Sequence, residues 1–138
     1  VAIGTDSVAS NNSLNFFEEI KVFALASKMY YQDPTAVTPR QTLLAATRNG
    51  ALAQGREDCG LVKEGFRADL LVVDIDQPNM NPVHNMLNNL VYSASGTDIC
   101  LTMADGKVLY ENGSYPTLDL EKTIAEANAA TRRILAAL

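Results

Sequence analysis

Few side chains in this sequence are of a kind that does chemistry, and the first of them, Asp6, closes the run Val1-Ala2-Ile3-Gly4-Thr5-Asp6. Three apolar residues, a small residue and then a carboxylate read as the exit of a buried strand that presents a functional group. A carboxylate in that place can cap a turn, or it can carry a proton as an acid or base. Ser7 follows directly, and Asn11 and Asn12 come soon after in a small polar stretch whose backbone N–H groups stay free. The other candidates are isolated. His84, the single histidine, lies in a Pro- and Asn-rich loop and reads as solvent-facing. Cys59 and Cys100 belong to no CxxC pattern and read as reduced thiols of a cytoplasmic protein. Glu18 and Glu19 read as charges on the wet face of a helix N-terminus. Asp69 and Asp74 flank an apolar run and read as acceptors for turn or backbone hydrogen bonds. Phe16, Phe17, Tyr30 and Tyr31 sit at helical spacing, as core or contact residues do.

The elements that must position Asp6 follow from hydrophobic period and punctuation. Residues 1–6 predict a buried strand and 7–12 a strand-to-helix loop. Asn12 or Ser13 is the expected cap of a helix carrying Phe16, Phe17, Ile20, Phe23, Ala24 and Ser27 on one side and ending at Gln32-Asp33-Pro34. Thr38-Pro39 starts a second helix that should run to about Gly55, with Gly50 inside it as a point of close packing. Gly60-Leu61-Val62, Ala68 to Val73, Leu90-Val91-Tyr92 and Ile99 to Met103 predict strands, the second of them buried on both faces. Asp76 to Asn89 predicts a loop. Asp105-Gly106 between two apolar runs predicts a hairpin, because that turn needs positive φ. A last helix is expected from about Asp119 to the end.

Composition narrows the function. The net charge of −5 argues against a nucleic-acid or anionic-membrane surface. The longest apolar runs fall far short of the ~20 residues a bilayer helix needs, and no signal-peptide pattern is present. At 138 residues with 47% hydrophobic side chains, the chain could bury a reasonable core.

Three stretches carry a resemblance. "GTDS-ASNN-LN-FEE" at 4–19 resembles the segment around the last barrel strand of the amidohydrolase superfamily, in the branch of zinc-dependent purine and triazine aminohydrolases and chlorohydrolases. "TLLAATRNGALAQG" with "GLVKEGFRADLLVVD" at 42–74 resembles the re-entry into a small sandwich domain. "NNLVYSASGTDICLTMADGKVLYENG" at 88–113 resembles its closing hairpin. All three occur in the family's order, and the pattern is most similar to the methylthioadenosine/adenosylhomocysteine deaminases. The fold implied is α/β: residues 1–57 as the end of a metal-dependent (β/α)8 barrel, 58–113 as part of a composite β-sandwich, and 114–138 as a C-terminal helix. Asp6 would then stand at the barrel mouth, where active sites of this fold lie, and the chain would be the C-terminal third of a longer enzyme.

The resemblance makes Asp6 a metal ligand and the general base, with zinc or another divalent ion as cofactor. Zinc lowers the pKa of its water to about 7, and a nearby carboxylate can take the proton and later return it to departing ammonia. Ser7 matches a position that orients the aspartate or touches substrate, although a turn-forming role suits it equally. Asn11 matches one of a polar pair in the family's loop and is a candidate for substrate contact; Asn12 suits capping. The remaining metal ligands, histidines above all, are not in this sequence. The expected activity of the whole is hydrolysis of non-peptide C–N bonds: deamination of a purine-nucleoside-like or related heterocyclic small molecule. Triazine dechlorination, guanine or cytosine deamination, and a non-catalytic sandwich or assembly module remain as alternatives. The fragment alone should be inactive and should self-associate through open strand edges.

Overall fold

The computed structural model describes all 138 residues. Its elements are α1 (Phe16–Tyr31), α2 (Pro39–Ala46), α3 (Arg48–Ala53), β1 (Leu70–Val73), α4 (Met86–Tyr92), β2 (Ile99–Ala104), β3 (Lys107–Glu111) and α5 (Leu120–Leu135). The three strands form one antiparallel sheet in the order β1-β2-β3.

Local sequence explains most of these boundaries. In α1 the phenylalanines and their helical neighbours bury Phe17, Ile20 and Ala24. The Lys28 ammonium ties down the turn after α1 by donating to the carbonyls of Pro34, Ala36 and Val37 at 2.9, 2.8 and 3.2 Å. Thr38 and Gln41 form a reciprocal capping box at the start of α2, with Pro39 in the first helical position. Asp105 and Gly106 turn β2 into β3 with φ of 49° and 77°, the positive pair that a two-residue hairpin requires. Asp69 braces that turn, its Oδ1 accepting the Asp105 N–H at 2.7 Å.

Several expectations need correcting. Residues 1–6 form no strand here. Ile3 N–H donates to the Ala45 carbonyl at 3.0 Å, but no other strand lies alongside, and a parallel barrel strand owes its ladder to two neighbours. Leu90-Val91-Tyr92 is the end of α4, because Asn85 accepts the N–H groups of Leu87 and Asn88 and so nucleates a helix. Gly60-Leu61-Val62 is not a strand. The cap position of α1 is Asn15, whereas Ser13 accepts the Asn15 N–H one turn earlier. The expected single helix from Thr38 to Gly55 breaks at Thr47, which departs to φ −128° and ψ −89°. Gly60 packs on that break. A Cβ on it would lie 2.7 Å from Arg48 Cα, while a Cβ on Gly50 would meet nothing within 4 Å. The glycine chosen by close approach is therefore Gly60, not Gly50.

The core is a seam between α1, α4 and the sheet: Phe17, Ile20, Ala24 and Val91, backed by Leu43, Ala46, Val73 and Ile99. Only nine residues are buried, far fewer than a self-sufficient core of this length would hold. β1, expected to be covered on both faces, exposes Leu71 at 55% and Val72 at 48%. Every residue of α5 is exposed apart from the half-buried Ala129 and Ala130. A groove of about 500 Å³, walled by Phe16, Ile20, Leu43, Leu71 and Ile99 among others, opens between α1, α2 and the sheet.

Candidate active site

Asp6 sits where the N-terminal segment 1–5, which belongs to no helix or strand, meets the loop that leads into α1, and the loop's geometry is built around it. Its backbone is left-handed at φ 57°, a conformation in which aspartate is tolerated better than most residues. The chain on either side is held. Asn11 Nδ2 donates to the Thr5 carbonyl at 3.0 Å, and the Thr5 hydroxyl donates to the Asp6 carbonyl at 3.2 Å. The Ser7 carbonyl accepts the N–H groups of Ser10 and Asn11 at 3.1 and 2.8 Å, closing a tight turn.

The carboxylate is anchored at both oxygens. Oδ2 accepts the Ser10 hydroxyl at 2.8 Å and Oδ1 accepts the Ser7 N–H at 2.8 Å. The Ser10 hydroxyl first, and the Ser7 N–H second, hold the Asp6 carboxyl below its ordinary 3.8. The group is exposed and ionised at neutral pH, with lone pairs still available on each oxygen.

Of the residues singled out in the sequence, Asp6 and Ser7 meet directly, through the Ser7 N–H. Asn11 lies in the same loop but spends its amide N–H groups on Thr5 and on the Glu19 carboxylate. Glu19 is thus half-buried and tied to the loop, not a free charge on a wet face. Ser10 and Glu19 were not legible as site residues. The only available signal was the four-residue step from Asp6 to Ser10 across a turn-rich stretch. His84 is exposed in its loop, as expected. The two thiols are unpaired, and burial, together with Asp58 and Asp69, pushes the Cys59 thiol up. Asp74 accepts the Asp76 N–H at 3.0 Å and Gln77 Nε2 at 2.6 Å, and is a turn acceptor.

No three histidine, cysteine or acidic side chains converge anywhere in the chain in a way that could hold a metal ion. Asp6 offers one anionic ligand; a zinc site needs at least three from protein. The apolar groove does not reach Asp6. No helix is long and apolar enough to cross a membrane.

Comparison with known proteins bears on the family of the chain. The sequence profile of the amidohydrolase family matches residues 1–109. A 5-methylthioadenosine/S-adenosylhomocysteine deaminase of Dictyoglomus thermophilum is 44% identical over 92% of this chain and 30% of its own length. A 5'-deoxyadenosine deaminase of Methanosarcina acetivorans is 46% identical over 99% of this chain and 31% of its own. In structure, the chain is similar to a zinc-bound adenosine deaminase of Xanthomonas campestris, with TM-score 0.94 and 34% identity over 98% of this chain and 31% of that one. It is also similar to the zinc complex of an atrazine chlorohydrolase from Arthrobacter aurescens, with TM-score 0.75 and 28% identity over 89% of this chain and 28% of that one. The chain spans about 30% of the length of the curated relatives it matches. With its α/β content, small antiparallel sheet and matched profile, the chain belongs to the amidohydrolase family.

Proposed function

We propose that these residues form the C-terminal part of a zinc-dependent aminohydrolase in which Asp6 is both a metal ligand and the proton carrier. One observation carries this reading. Asp6 is an exposed carboxylate, held ionised and fixed at both oxygens, on a left-handed backbone at the start of the loop that leads into α1. Sparsely populated backbone conformations cluster at functional sites, and here one accompanies an accessible charged group. In this reading residues 1–57 belong to the end of a (β/α)8 barrel and 58–113 to a composite sandwich.

The residues present fit the metal in part. Asp6 supplies one anionic oxygen of the kind zinc accepts, and the histidines that complete the site come from elsewhere in a longer polypeptide. When bound, the cation supplies Lewis-acid activation of a water and of the developing negative charge. Asp6 accepts the proton that the attacking water loses and returns it to the amino nitrogen as ammonia departs, so the carboxylate is regenerated each cycle. Ser7 holds Oδ1 through its backbone N–H and stands exposed at the same mouth, where its hydroxyl can meet substrate. Asn11 holds the segment before Asp6 through the Thr5 carbonyl, with its own carbonyl oxygen left for a substrate donor.

The substrate class is an adenosine-like nucleoside bearing an exocyclic amino group. The deaminase relatives, at 44% and 46% identity, support this more strongly than the chlorohydrolase likeness at 28%, which keeps triazine dechlorination as the second reading. The two free thiols suit a reducing, cytoplasmic setting. The full-length, zinc-loaded protein should convert 5'-deoxyadenosine or methylthioadenosine to the inosine analogue with release of ammonia. Asp6→Asn should lower kcat by about 10²–10⁴-fold, the usual contribution of a proton-transfer group. An Asp6→Asn enzyme with undiminished kcat would contradict the proposal, and a full-length protein inert on all amino-heterocycles would favour the non-catalytic alternative.

A further inference from the structure

We propose that the apolar face of α5 is a docking surface for the α5 of a second copy of this chain, packed antiparallel across a two-fold axis. Asp119 caps the helix by accepting the Lys122 N–H at 3.0 Å, and α5 then runs for 16 residues without burying one of them. Leu120, Ile124, Ala127, Thr131 and Leu135 recur at steps of three or four, which places them on one face. Ile124 is 53% and Leu135 65% exposed. The Thr131 hydroxyl donates to the Ala127 carbonyl at 3.0 Å, so this polar group is satisfied within the helix and can enter a dry seam without a stranded donor. Most of the stability of a helix in a protein comes from packing such a face, and nothing in these residues packs on this one.

The charges choose the occupant. Lys122 and Glu126 face each other at 3.9 Å on the side away from the apolar face. Glu121 and Arg132 stand about three turns apart and so line one flank of that face, and neither joins an ion pair within the chain. An acid near one end and a base near the other is a self-complementary pattern. In an antiparallel pair crossing at Ala127, Glu121 meets the partner's Arg132, and two-fold symmetry makes the contact twice. Ala127 lies midway between the two charges, and its small side chain lets the helices approach closely where they cross. A parallel pair would set like charges together instead, and would align the helix macrodipoles unfavourably. α5 follows the residues that carry the family match, 1–109, so this surface is additional to the site around Asp6. One helix pair is a small interface, below about 1,200 Å² in total, and the association is therefore reversible and dependent on concentration.

The test is a charge swap in the full-length protein, read by sedimentation velocity over a concentration series. Glu121→Arg and Arg132→Glu each turn both symmetric pairs into repulsions, and each should raise the dissociation constant by about 5- to 30-fold with unchanged far-UV circular dichroism. The two changes combined in one chain should restore the wild-type constant. The two single variants, mixed, should form a heterodimer in preference to either homodimer, because both contacts are then attractive. Ile124→Asp, in the seam itself, should leave a monomer. A wild-type protein that is monomeric at every concentration would overturn the proposal. So would an assembly that none of these substitutions changes, since its interface would then lie elsewhere. Loss of thermal stability in the monomers of these variants would show α5 packed against its own polypeptide, and would overturn it as well.

Discussion

Replacing Gly60 with alanine should be among the most damaging small changes in this chain, and the structure gives its size. Gly60 has φ +79°, and an added Cβ would lie 2.7 Å from Arg48 Cα, 3.0 Å from Arg48 N and 3.1 Å from Thr47 C. Ordinary carbon–carbon contact begins near 3.5 Å, so the two backbones must part by about 0.8 Å. Arg48 is poorly free to yield, because its guanidinium donates to the Glu57 and Cys59 carbonyls at 2.9 and 2.6 Å. A left-handed residue with a Cβ costs about 1–2 kcal/mol, and overpacking of this kind adds about 1–3 kcal/mol. The sum is about 2–5 kcal/mol. Gly65 supplies the control, since its φ is +80° and nothing lies within 4 Å of an added Cβ. Gly65→Ala should therefore cost only the left-handed term, about 1–2 kcal/mol. Urea unfolding of both variants in the same full-length background measures the difference, expected to be at least about 1 kcal/mol. Equal losses for the two alanines would refute the claim that Gly60 is required by contact with the break between α2 and α3.

Asp98 is buried at 5% exposure and accepts the Ser95 N–H at 2.8 Å and Asn79 Nδ2 at 2.7 Å. Asp98→Ala should cost about 1–3 kcal/mol in urea unfolding by stranding both donors, and a loss within error of zero would contradict the network. The Asp76 N–H, and then Gln77, hold the Asp74 carboxyl below its ordinary 3.8. Because the folded chain favours the anion, this contribution is present above the ordinary carboxylate range and fades as pH falls through it. Asp74→Asn should therefore narrow the gap between unfolding midpoints at about pH 6 and about pH 3; an unchanged gap would count against it. The isolated 138-residue chain, with β1 and β3 as open edges and Leu71 and Val72 exposed, should sediment as concentration-dependent assemblies. A compact monomer at all concentrations would remove that expectation.

What was legible in the sequence was whatever local chemistry determines. The Thr38-Pro39 start, the Asp105-Gly106 turn and the apolar stripe of α1 each specify their own geometry within a few residues. What failed depended on partners distant in sequence. Leu90-Val91-Tyr92 is too short for its period to separate strand from helix, and Asn85 decided the matter. Gly50 looked costly in a helix, yet the close approach belongs to Gly60, which meets Thr47 and Arg48 only after the chain has folded back. Glu19 resembled any first-turn acid until the loop brought Asn11 to it. Ser10 was hidden for a similar reason: its importance lies in a hydrogen bond to a side chain, and serine in a polar loop carries no periodic signal.

The central claim is that Asp6 touches the metal, and anomalous diffraction at the zinc edge from crystals of the full-length protein tests it most directly. A zinc peak is expected about 2.0–2.2 Å from one carboxylate oxygen of Asp6. A fully occupied zinc with Asp6 beyond coordinating distance, its oxygens engaged only by Ser7 and Ser10, would contradict it.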